Sequence, residues 1–365
     1  MNQTGQLARV GQSVWLDNIT RPMLDDGRLR RYVDDFSVTG LTSNPTIFDE
    51  AIGAGGSYDA AIVAKMGAGR SAEETFVEIA LDDLRRAADI LRSVHTATGG
   101  RDGYVSMEVS PLLAADTTRT IAAAAQIFRQ AGRPNLLVKI PGTPAGLPAI
   151  EESIFAGVPV NVTLLFSCSQ YLAAAEAYLR AIERRVSAGL DPRVASVASL
   201  FVSRWDKAVA DRVPQPLHNR LGIAIARVTY RAYCELLNTP RWQRLARGGA
   251  LRQTLLWAST GAKDPLAPDT LYVEALAAPN TIDTIPEQTL RAFADHGRVA
   301  ATMPVDGGDA DSVLVAFRAA GVDTAELANQ LQLDGAESFV QSWTELLARI
   351  AARASVLTRP RPDGP

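Results

Sequence analysis

The sequence predicts an α/β protein built as a single eight-stranded β/α barrel. Eight short apolar segments recur along the chain, separated by longer stretches of helical period that are rich in Ala, Leu and Arg. Strands that alternate with helices form βαβ units and a parallel sheet. The segments are nearly continuous apolar runs, as strands buried on both faces are, and eight is the number that closes a (β/α)8 TIM barrel.

The predicted elements follow one another along almost the whole chain. Strands are predicted at 13–17, 37–42, 104–109, 135–140, 158–165, 194–202, 253–258 and 281–285, and the clearest helices at 72–96, 117–131, 169–188 and 221–237. About 60 residues separate the second strand from the third, so we expect additional helices there and at the C-terminus. One barrel domain is predicted over 1–356, with a Pro-rich, disordered tail over 357–365.

Composition narrows the classes of function. The 365 residues are 47% hydrophobic with a net charge of −3, which argues against a general nucleic-acid binder because such proteins need excess cations. Two cysteines, Cys168 and Cys234, cannot make a disulfide framework and favour a reducing compartment. The chain shows neither a run of about 18 apolar residues nor the apolar core of a signal peptide. We expect a cytoplasmic protein that binds neither nucleic acid nor membrane.

Polar residues interrupt or follow the apolar strands near their carboxyl ends. They are Asp17, Asn44, Glu108, Lys139, Asn161, Thr163 and Ser199. A barrel builds its site at that end, from strand tips and the loops that follow them. An unpaired buried charge costs several kcal/mol. The repeated placement of these residues on six strands therefore predicts one polar pocket.

Lys139 is the centre of this predicted pocket. Only four of the 37 basic residues are lysines, and this one lies inside the apolar run LLVKIP. Burial among apolar walls favours the neutral amine of a lysine, the form that attacks a carbonyl to make a Schiff base. Glu108 and Asp17 are the acid/base candidates, unless they form structural ion pairs with Lys139. The amide and hydroxyl side chains would orient a polyol, or else serve as caps and turns.

Two cations, Arg204 and Lys263, follow the sixth and seventh strands. The late loops of barrels often bind a substrate phosphate, and a guanidinium suits that ligand; surface salt bridging is the alternative. The three histidines lie outside the strands, and the motifs GxGxxG, GxxxxGK, GxSxG, HExxH and CxxC are absent. The sequence therefore predicts neither a metal site nor a Ser-His-Asp site.

Several segments resemble the transaldolase family, in the order that the family has them. They are SVWLDNITRPML, GLTSNPTIF, VSMEVSP, LLVKIPGTPAGLPAI, NVTLLFS, SVASLFVSRWD, LLWASTGAKDP and, downstream, YVEALAAPNTIDTIPEQTL. The insertion after the second strand resembles the longer bacterial group. The resemblance implies a class I aldolase barrel that needs no cofactor and acts on sugar phosphates, as a monomer or homodimer. The implied reaction is transfer of a dihydroxyacetone unit from a ketose phosphate to an aldose phosphate, in the pentose phosphate pathway.

The resemblance also implies a role for each site residue. Lys139 matches the Schiff-base lysine, Asp17 the base at the donor hydroxyl, and Glu108 an acid/base that works through a water. The other matches are Thr163 as a holder of that water, Asn44, Asn161 and Ser199 as ligands of the dihydroxyacetone unit, Arg204 as a phosphate ligand, and Ser259 and Lys263 as candidates for the second phosphate contact.

Two other functions remain open at this point. One is a lyase that resembles fructose 6-phosphate aldolase and releases free dihydroxyacetone, and the other is a non-catalytic barrel that binds sugar phosphates. In related barrels that release dihydroxyacetone, Gln and Tyr are prominent where this chain has Glu108 and Phe201. Both residues therefore favour a transferase, with Phe201 placed at the substrate.

Overall fold

Eight parallel strands close into a barrel in the computed structural model, which describes residues 3–357. The strands are β1 (Ser13–Leu16), β2 (Val38–Leu41), β3 (Val105–Glu108), β4 (Leu136–Pro141), β5 (Val160–Leu165), β6 (Ser196–Phe201), β7 (Gln253–Ala258) and β8 (Thr281–Ile285). Neighbours pair in chain order, and β8 pairs with β1 to close the sheet. The predicted (β/α)8 barrel is confirmed. Every strand lies within its predicted segment except β4, which extends one residue further, to Pro141.

Helices surround the barrel and account for most of the remaining described residues. They are α1 (Gly5–Arg9), α2 (Arg21–Asp25), α3 (Arg28–Phe36), α4 (Pro45–Gly53), α5 (Asp59–Gly67), α6 (Ala72–Ile90), α7 (Arg92–Ala97), α8 (Thr117–Ala131), α9 (Gly146–Phe155), α10 (Cys168–Ser187), α11 (Ser203–Val209), α12 (Leu221–Leu237), α13 (Pro240–Arg247), α14 (Leu271–Ala275), α15 (Glu287–His296), α16 (Ala310–Ala319) and α17 (Thr324–Leu357). Short 3-10 turns lie at Gly56–Tyr58, Pro111–Leu113 and Gln215–Leu217. None of these helices is long and apolar enough to span a bilayer.

Helix boundaries follow local capping. The predicted helices 117–131 and 221–237 match α8 and α12. Helix α10 begins one residue before its predicted start because the Ser167 side chain accepts the Gln170 backbone N–H as an N-cap. The predicted helix 72–96 is two helices, α6 and α7, separated at Leu91.

The register of the strands places polar side chains at one level of the barrel. Every residue of β4, β5, β6 and β7 is buried, because helices cover the outside and side chains fill the inside. Glu108 pairs with Lys139, and Lys139 pairs with Asn161, across β3, β4 and β5. Three adjacent strands therefore present one carboxyl, one amine and one amide at the same height.

The long helix α17 crosses the carboxyl end of the barrel. Gln332 on this helix donates through Nε2 to the carbonyl oxygens of Gly142, at 3.2 Å, and Leu164, at 2.9 Å. Further along, Arg349 forms an ion pair with Asp49 of α4, and Arg353 with Asp59 of α5. The helices between β2 and β3 and the C-terminal helix thus pack together beside the barrel mouth.

The predicted tail over 357–365 begins inside α17. Leu357 is the last residue of this helix. The rest of the predicted tail, 358–365, lies outside the described residues.

Asp283 of β8 is a buried carboxyl for which no role was predicted. The side chain is fully buried, and within residues 3–357 neither of its oxygens has a hydrogen-bond partner. Burial raises the pKa of Asp283 to about 7, although the nearby Thr260 hydroxyl lowers it somewhat. Because the pKa of Asp283 in the folded protein lies above its ordinary value of about 4, the free-energy cost of burying the charged carboxylate grows as the pH rises from about 4 to 7 and is fully present above pH 7.

Asp283→Asn should therefore stabilise the protein at pH 8 by about 1–3 kcal/mol, because an amide is neutral at every pH. The gain should shrink as the pH is lowered to 5, where the wild-type carboxyl is protonated in the folded state. Urea unfolding at both pH values measures this. The control Asp34→Asn replaces an exposed carboxyl and should show no such trend. An equal effect of Asp283→Asn at pH 5 and pH 8 would contradict the assignment.

Candidate active site

A pocket at the carboxyl end of the barrel gathers most of the predicted site residues. Its lining includes Asp17, Asn44, Lys139, Thr163, Ser199, Phe201, Arg204, Ser259 and Lys263. The two other predicted residues adjoin this lining, since Glu108 lies against Lys139 and Asn161 is hydrogen-bonded to Ser199. The structure thus brings together in one site residues that the sequence spreads over some 250 positions.

Lys139 lies at the centre of the pocket with its amine almost fully buried. The residue is 5% exposed. Its Nζ donates to the backbone oxygen of Ser43 at 3.0 Å and lies 3.7 Å from Oε2 of Glu108. The ring centroid of Phe339 lies 5.8 Å from the same Nζ. This amine is therefore held in place by one carbonyl, one carboxyl and one aromatic face.

Glu108 combines burial with unused hydrogen-bonding capacity. Burial raises its pKa to about 7, against the lowering effect of the Lys139 charge. Neither carboxyl oxygen has a hydrogen-bond partner among the described residues, and neither does the buried hydroxyl of Thr163. Buried polar atoms of this kind are commonly satisfied by an ordered water. At neutral pH such a carboxyl is available both as an acid and as a base.

Asp17 is the second carboxyl of the pocket, and its surroundings differ from those of Glu108. The Thr42 hydroxyl donates to Oδ1 of Asp17 at 2.7 Å and lies 2.6 Å from the Thr284 hydroxyl. Burial raises the pKa of Asp17 above its usual value, while the Thr42 hydrogen bond and the charges of Lys139, Lys263 and Arg204 lower it. The two carboxyls therefore have different partners and can carry different proton transfers.

Amide and hydroxyl side chains form a chain of hydrogen bonds across the barrel interior. Ser199 Oγ donates to Asn161 Oδ1 at 2.7 Å, and Asn161 Nδ2 donates to Ser106 Oγ at 3.1 Å. This network fixes the orientation of the Asn161 amide. The Asn44 side chain caps α4, which was the alternative to a role in binding substrate. Its Oδ1 accepts the Ile47 backbone N–H at the start of the helix. It lines the pocket as well.

Arg204 and Lys263 form the cationic side of the pocket. The Arg204 guanidinium carbon lies 5.0 Å from the centroid of the Phe201 ring and 6.0 Å from that of Phe339. Burial lowers the pKa of Lys263, and the charges of Arg204 and Lys207 lower it further. Two cations that repel each other inside a pocket are stabilised by a bound anion.

The backbone of Ser259 adopts a left-handed conformation beside these cations. Its φ is 59°, which is uncommon outside glycine. The conformation is supported by contacts with Ser203, whose backbone N–H donates to the Ser259 oxygen at 3.0 Å and whose Oγ lies 2.9 Å from the Ser259 Oγ. The hydroxyl of Ser259 is thus held at the pocket wall next to the cations.

Sequence reasoning missed four contributors to this site. Thr42, Thr284 and Phe339 line the pocket, and Ser43 supplies the oxygen that accepts from Lys139. Thr42 and Ser43 lie in the segment GLTSNPTIF, next to Asn44, and adjacency to Asn44 could have drawn attention to them. Phe339 carries no such signal, because it lies on α17, far from every strand in the sequence.

Among residues 3–357, no group of three or more His, Cys, Asp and Glu side chains is arranged to hold a metal ion.

The sequence matches a characterised family over most of its length. The profile of the transaldolase/fructose-6-phosphate aldolase family matches residues 14–350. The chain is 44% identical to a protein named transaldolase from Frankia alni, over 96% of this chain and 97% of that protein. It is 43% identical to a transaldolase from Thermobifida fusca, over 97% and 98% of the two chains. Its identity to a protein named transaldolase 2 from Nostoc punctiforme is 38%, over 98% and 99%.

Proposed function

Because this chain belongs to the transaldolase/fructose-6-phosphate aldolase family, we propose that it acts as a transaldolase with Lys139 as the residue that carries the transferred unit. The donor is a ketose phosphate, fructose 6-phosphate or sedoheptulose 7-phosphate. The acceptor is an aldose phosphate, erythrose 4-phosphate or glyceraldehyde 3-phosphate. The reaction belongs to the pentose phosphate pathway.

The first half of the reaction loads Lys139. The Lys139 amine attacks the ketone carbon of the donor, and Glu108 protonates the departing hydroxyl through a water that Thr163 helps to hold. The resulting iminium withdraws electrons from the neighbouring carbon–carbon bond. Asp17 takes the proton from the hydroxyl at the bond to be cleaved, and an aldose phosphate leaves. A dihydroxyacetone enamine remains on Lys139.

The second half of the reaction reverses these steps with a different aldose. The enamine carbon attacks the aldehyde of the acceptor, and Asp17 returns its proton to the new alkoxide. Glu108 then acts as the base that directs water onto the iminium, which frees the ketose product and regenerates the Lys139 amine. Asn161, Ser199 and Asn44 orient the hydroxyl groups of the dihydroxyacetone unit.

The phosphate of each sugar occupies the cationic side of the pocket. Arg204 is the principal ligand because a guanidinium binds phosphate through two parallel hydrogen bonds. Lys263 and the Ser259 hydroxyl supply the second contact. Phosphate at this position directs the carbonyl end of the sugar toward Lys139, since both groups line the same pocket.

One observation carries this proposal most directly. The Lys139 amine is buried at a strand end, 3.7 Å from a carboxyl whose pKa is about 7. Lys139 faces a pocket that also holds the Thr163 hydroxyl, unpaired among the described residues, and the cations Arg204 and Lys263. This placement favours a lysine that reacts with a ligand over a lysine on the surface or in a purely structural ion pair. We also propose that the protein is located in the cytoplasm and is a monomer or a homodimer.

Transfer activity is tested by its dependence on an acceptor. With fructose 6-phosphate alone, only a slow release of glyceraldehyde 3-phosphate is expected; adding erythrose 4-phosphate should accelerate it and yield sedoheptulose 7-phosphate. A rate of glyceraldehyde 3-phosphate formation that is the same with and without acceptor would support the lyase instead. Binding of fructose 6-phosphate without any product would support the non-catalytic barrel.

The Phe201 ring is the feature that separates the transferase from the lyase. It is buried against Phe166 and beside Arg204. Phe201→Tyr would add a hydroxyl that can hold a water near the enamine, so the ratio of free dihydroxyacetone release to transfer should rise severalfold. The control Phe128→Tyr adds the same hydroxyl on α8, outside the pocket lining. An unchanged ratio in Phe201→Tyr would count against this role of the ring.

A further inference from the structure

A groove at the amino end of the barrel is lined by three arginines. They are Arg101, Arg193 and Arg252, and neither Asp nor Glu contributes to the lining. The cavity volume is about 840 Å³, within the range of small-molecule sites. Nothing in the transfer reaction uses this groove, since the catalytic pocket lies at the opposite end of the strands.

Topology explains why these arginines converge. Arg101 lies in the loop before β3, Arg193 in the loop before β6, and Arg252 directly before β7. The amino ends of parallel strands meet at one end of a barrel. Three loops that are distant in sequence therefore contribute one cation each to the same surface.

Arg101 and Arg193 donate hydrogen bonds to backbone oxygens and not to carboxylates. Arg101 Nε donates to the Thr98 oxygen at 3.0 Å, and Arg193 Nη2 donates to the Gly99 oxygen at 2.7 Å. Gly99 has a φ of 60°, a left-handed conformation that turns its carbonyl within reach of Arg193. Since a guanidinium has five N–H donors, both side chains keep donors for a ligand.

Arg252 contributes the third guanidinium to the groove lining. Its Nε is buried and has no hydrogen-bond partner within residues 3–357, while the guanidinium lies beside the Tyr233 hydroxyl. By contrast, Arg184 and Arg241 on other surfaces are each held by two carboxylates. The groove is thus a cationic surface, and no carboxylate of residues 3–357 lines it.

We propose that this groove binds a small polyphosphate anion, that is, a molecule with two or more linked phosphate groups. Arginine binds phosphate oxygens in a bidentate manner. A short chain of linked phosphates presents more oxygens to the three guanidinium groups than a single phosphate does. The groove is therefore selective for linked phosphates over a single phosphate.

The polyphosphate is either inorganic or the phosphate chain of a nucleotide. The three arginines would contact the phosphate oxygens of both in the same way. Trp242, Asn238 and Gln243 also line the groove. Trp242 is only 7% exposed, and the Asn238 and Gln243 amide nitrogens donate to backbone oxygens, so the two amide oxygens are the groups that can accept hydrogen bonds from a nucleobase. Tighter binding of ATP than of tripolyphosphate identifies a nucleotide site, and equal binding identifies a site for the phosphate chain alone.

Isothermal titration of the full chain with tripolyphosphate, ATP and inorganic phosphate tests the proposal. Wild-type protein should bind tripolyphosphate or ATP with one-to-one stoichiometry, and inorganic phosphate at least about 10-fold more weakly. The triple variant Arg101→Gln, Arg193→Gln, Arg252→Gln should lose at least about 10-fold in affinity. A control triple variant removes the same charge from exposed arginines elsewhere, Arg30→Gln, Arg119→Gln and Arg318→Gln, and should lose less than about twofold. Equal losses in the two triple variants would overturn the site, because general charge attraction would then explain binding.

Two further variants distinguish binding in this groove from binding in the active site, and a loss of binding from a loss of folding. Arg204→Gln should retain polyphosphate binding. If Arg204→Gln loses binding while the groove triple variant retains it, the anion binds in the catalytic pocket and the proposal is overturned. Gln243→Glu is nearly isosteric and adds one negative charge to the groove, so it should weaken binding without unfolding the protein. Transfer activity should stay near the wild-type level in the groove variants. Absence of binding to wild-type protein at millimolar concentrations would also overturn the proposal.

Discussion

Replacing Lys139 by methionine should abolish transfer, with a fall in kcat on the order of 10⁴-fold or more, because the variant has no amine to form the iminium. Methionine has a similar length and is apolar, so the buried position next to Glu108 should accept it. The measurement is the rate of sedoheptulose 7-phosphate formation from fructose 6-phosphate and erythrose 4-phosphate. Substrate binding should persist in the variant, since Arg204 and Lys263 are intact.

The matched control is Lys65→Met, which makes the same chemical change on the surface. Lys65 pairs with Glu78 and Asp82 on α6 and does not belong to the pocket lining. Its activity should stay within about twofold of wild type, because surface ion pairs contribute little. Residual transfer in Lys139→Met that exceeds a few per cent would contradict a Schiff base on Lys139.

Glu108→Gln should lower kcat by about 10²–10⁴-fold, the usual range for loss of a general acid/base. Gln keeps the size and the hydrogen-bonding ability of the side chain, so binding of the donor should change little. The control Glu235→Gln removes an exposed carboxyl and should leave kcat unchanged. A KM that rises while kcat is kept would instead indicate that Glu108 binds substrate.

The pH dependence gives a second, independent readout of Glu108. Its pKa of about 7 means that the acid form predominates below pH 7 and the carboxylate above it. Loading of Lys139 needs the acid form to expel the hydroxyl, so the loading rate should fall as pH rises through about 7. In Glu108→Gln this fall should disappear, because the amide does not titrate in this range. A fall that persists at the same pH would have to come from another group.

The barrel and the position of the buried lysine in β4 could be predicted from sequence for the same physical reason. A buried parallel strand must be apolar on both faces, so its segment is recognisable, and a lysine within it stands out. β4 illustrates this, because LLVKIP contains one charge among buried apolar residues. The carboxyl-end position of the other polar residues followed from the direction of the strands, and seven of them line the pocket.

Contacts made by distant helices could not be predicted in this way. Phe339 reaches the Lys139 amine from α17, and its place depends on how that helix packs across the barrel mouth. The backbone oxygen of Ser43 holds Lys139, and a backbone atom has no distinguishing mark in sequence. Asn44 shows that one residue can fulfil both alternatives, since its side chain caps α4 and also lines the pocket.

The central claim is that Lys139 carries a dihydroxyacetone unit, and trapping that unit tests it most directly. Protein incubated with fructose 6-phosphate and borohydride should gain the mass of one reduced dihydroxyacetone unit, and peptide mapping should place it on Lys139. Lys139→Met should gain nothing. Adding erythrose 4-phosphate before the borohydride should discharge the adduct from wild-type protein. An adduct on another lysine, or none on wild-type protein, would contradict the claim.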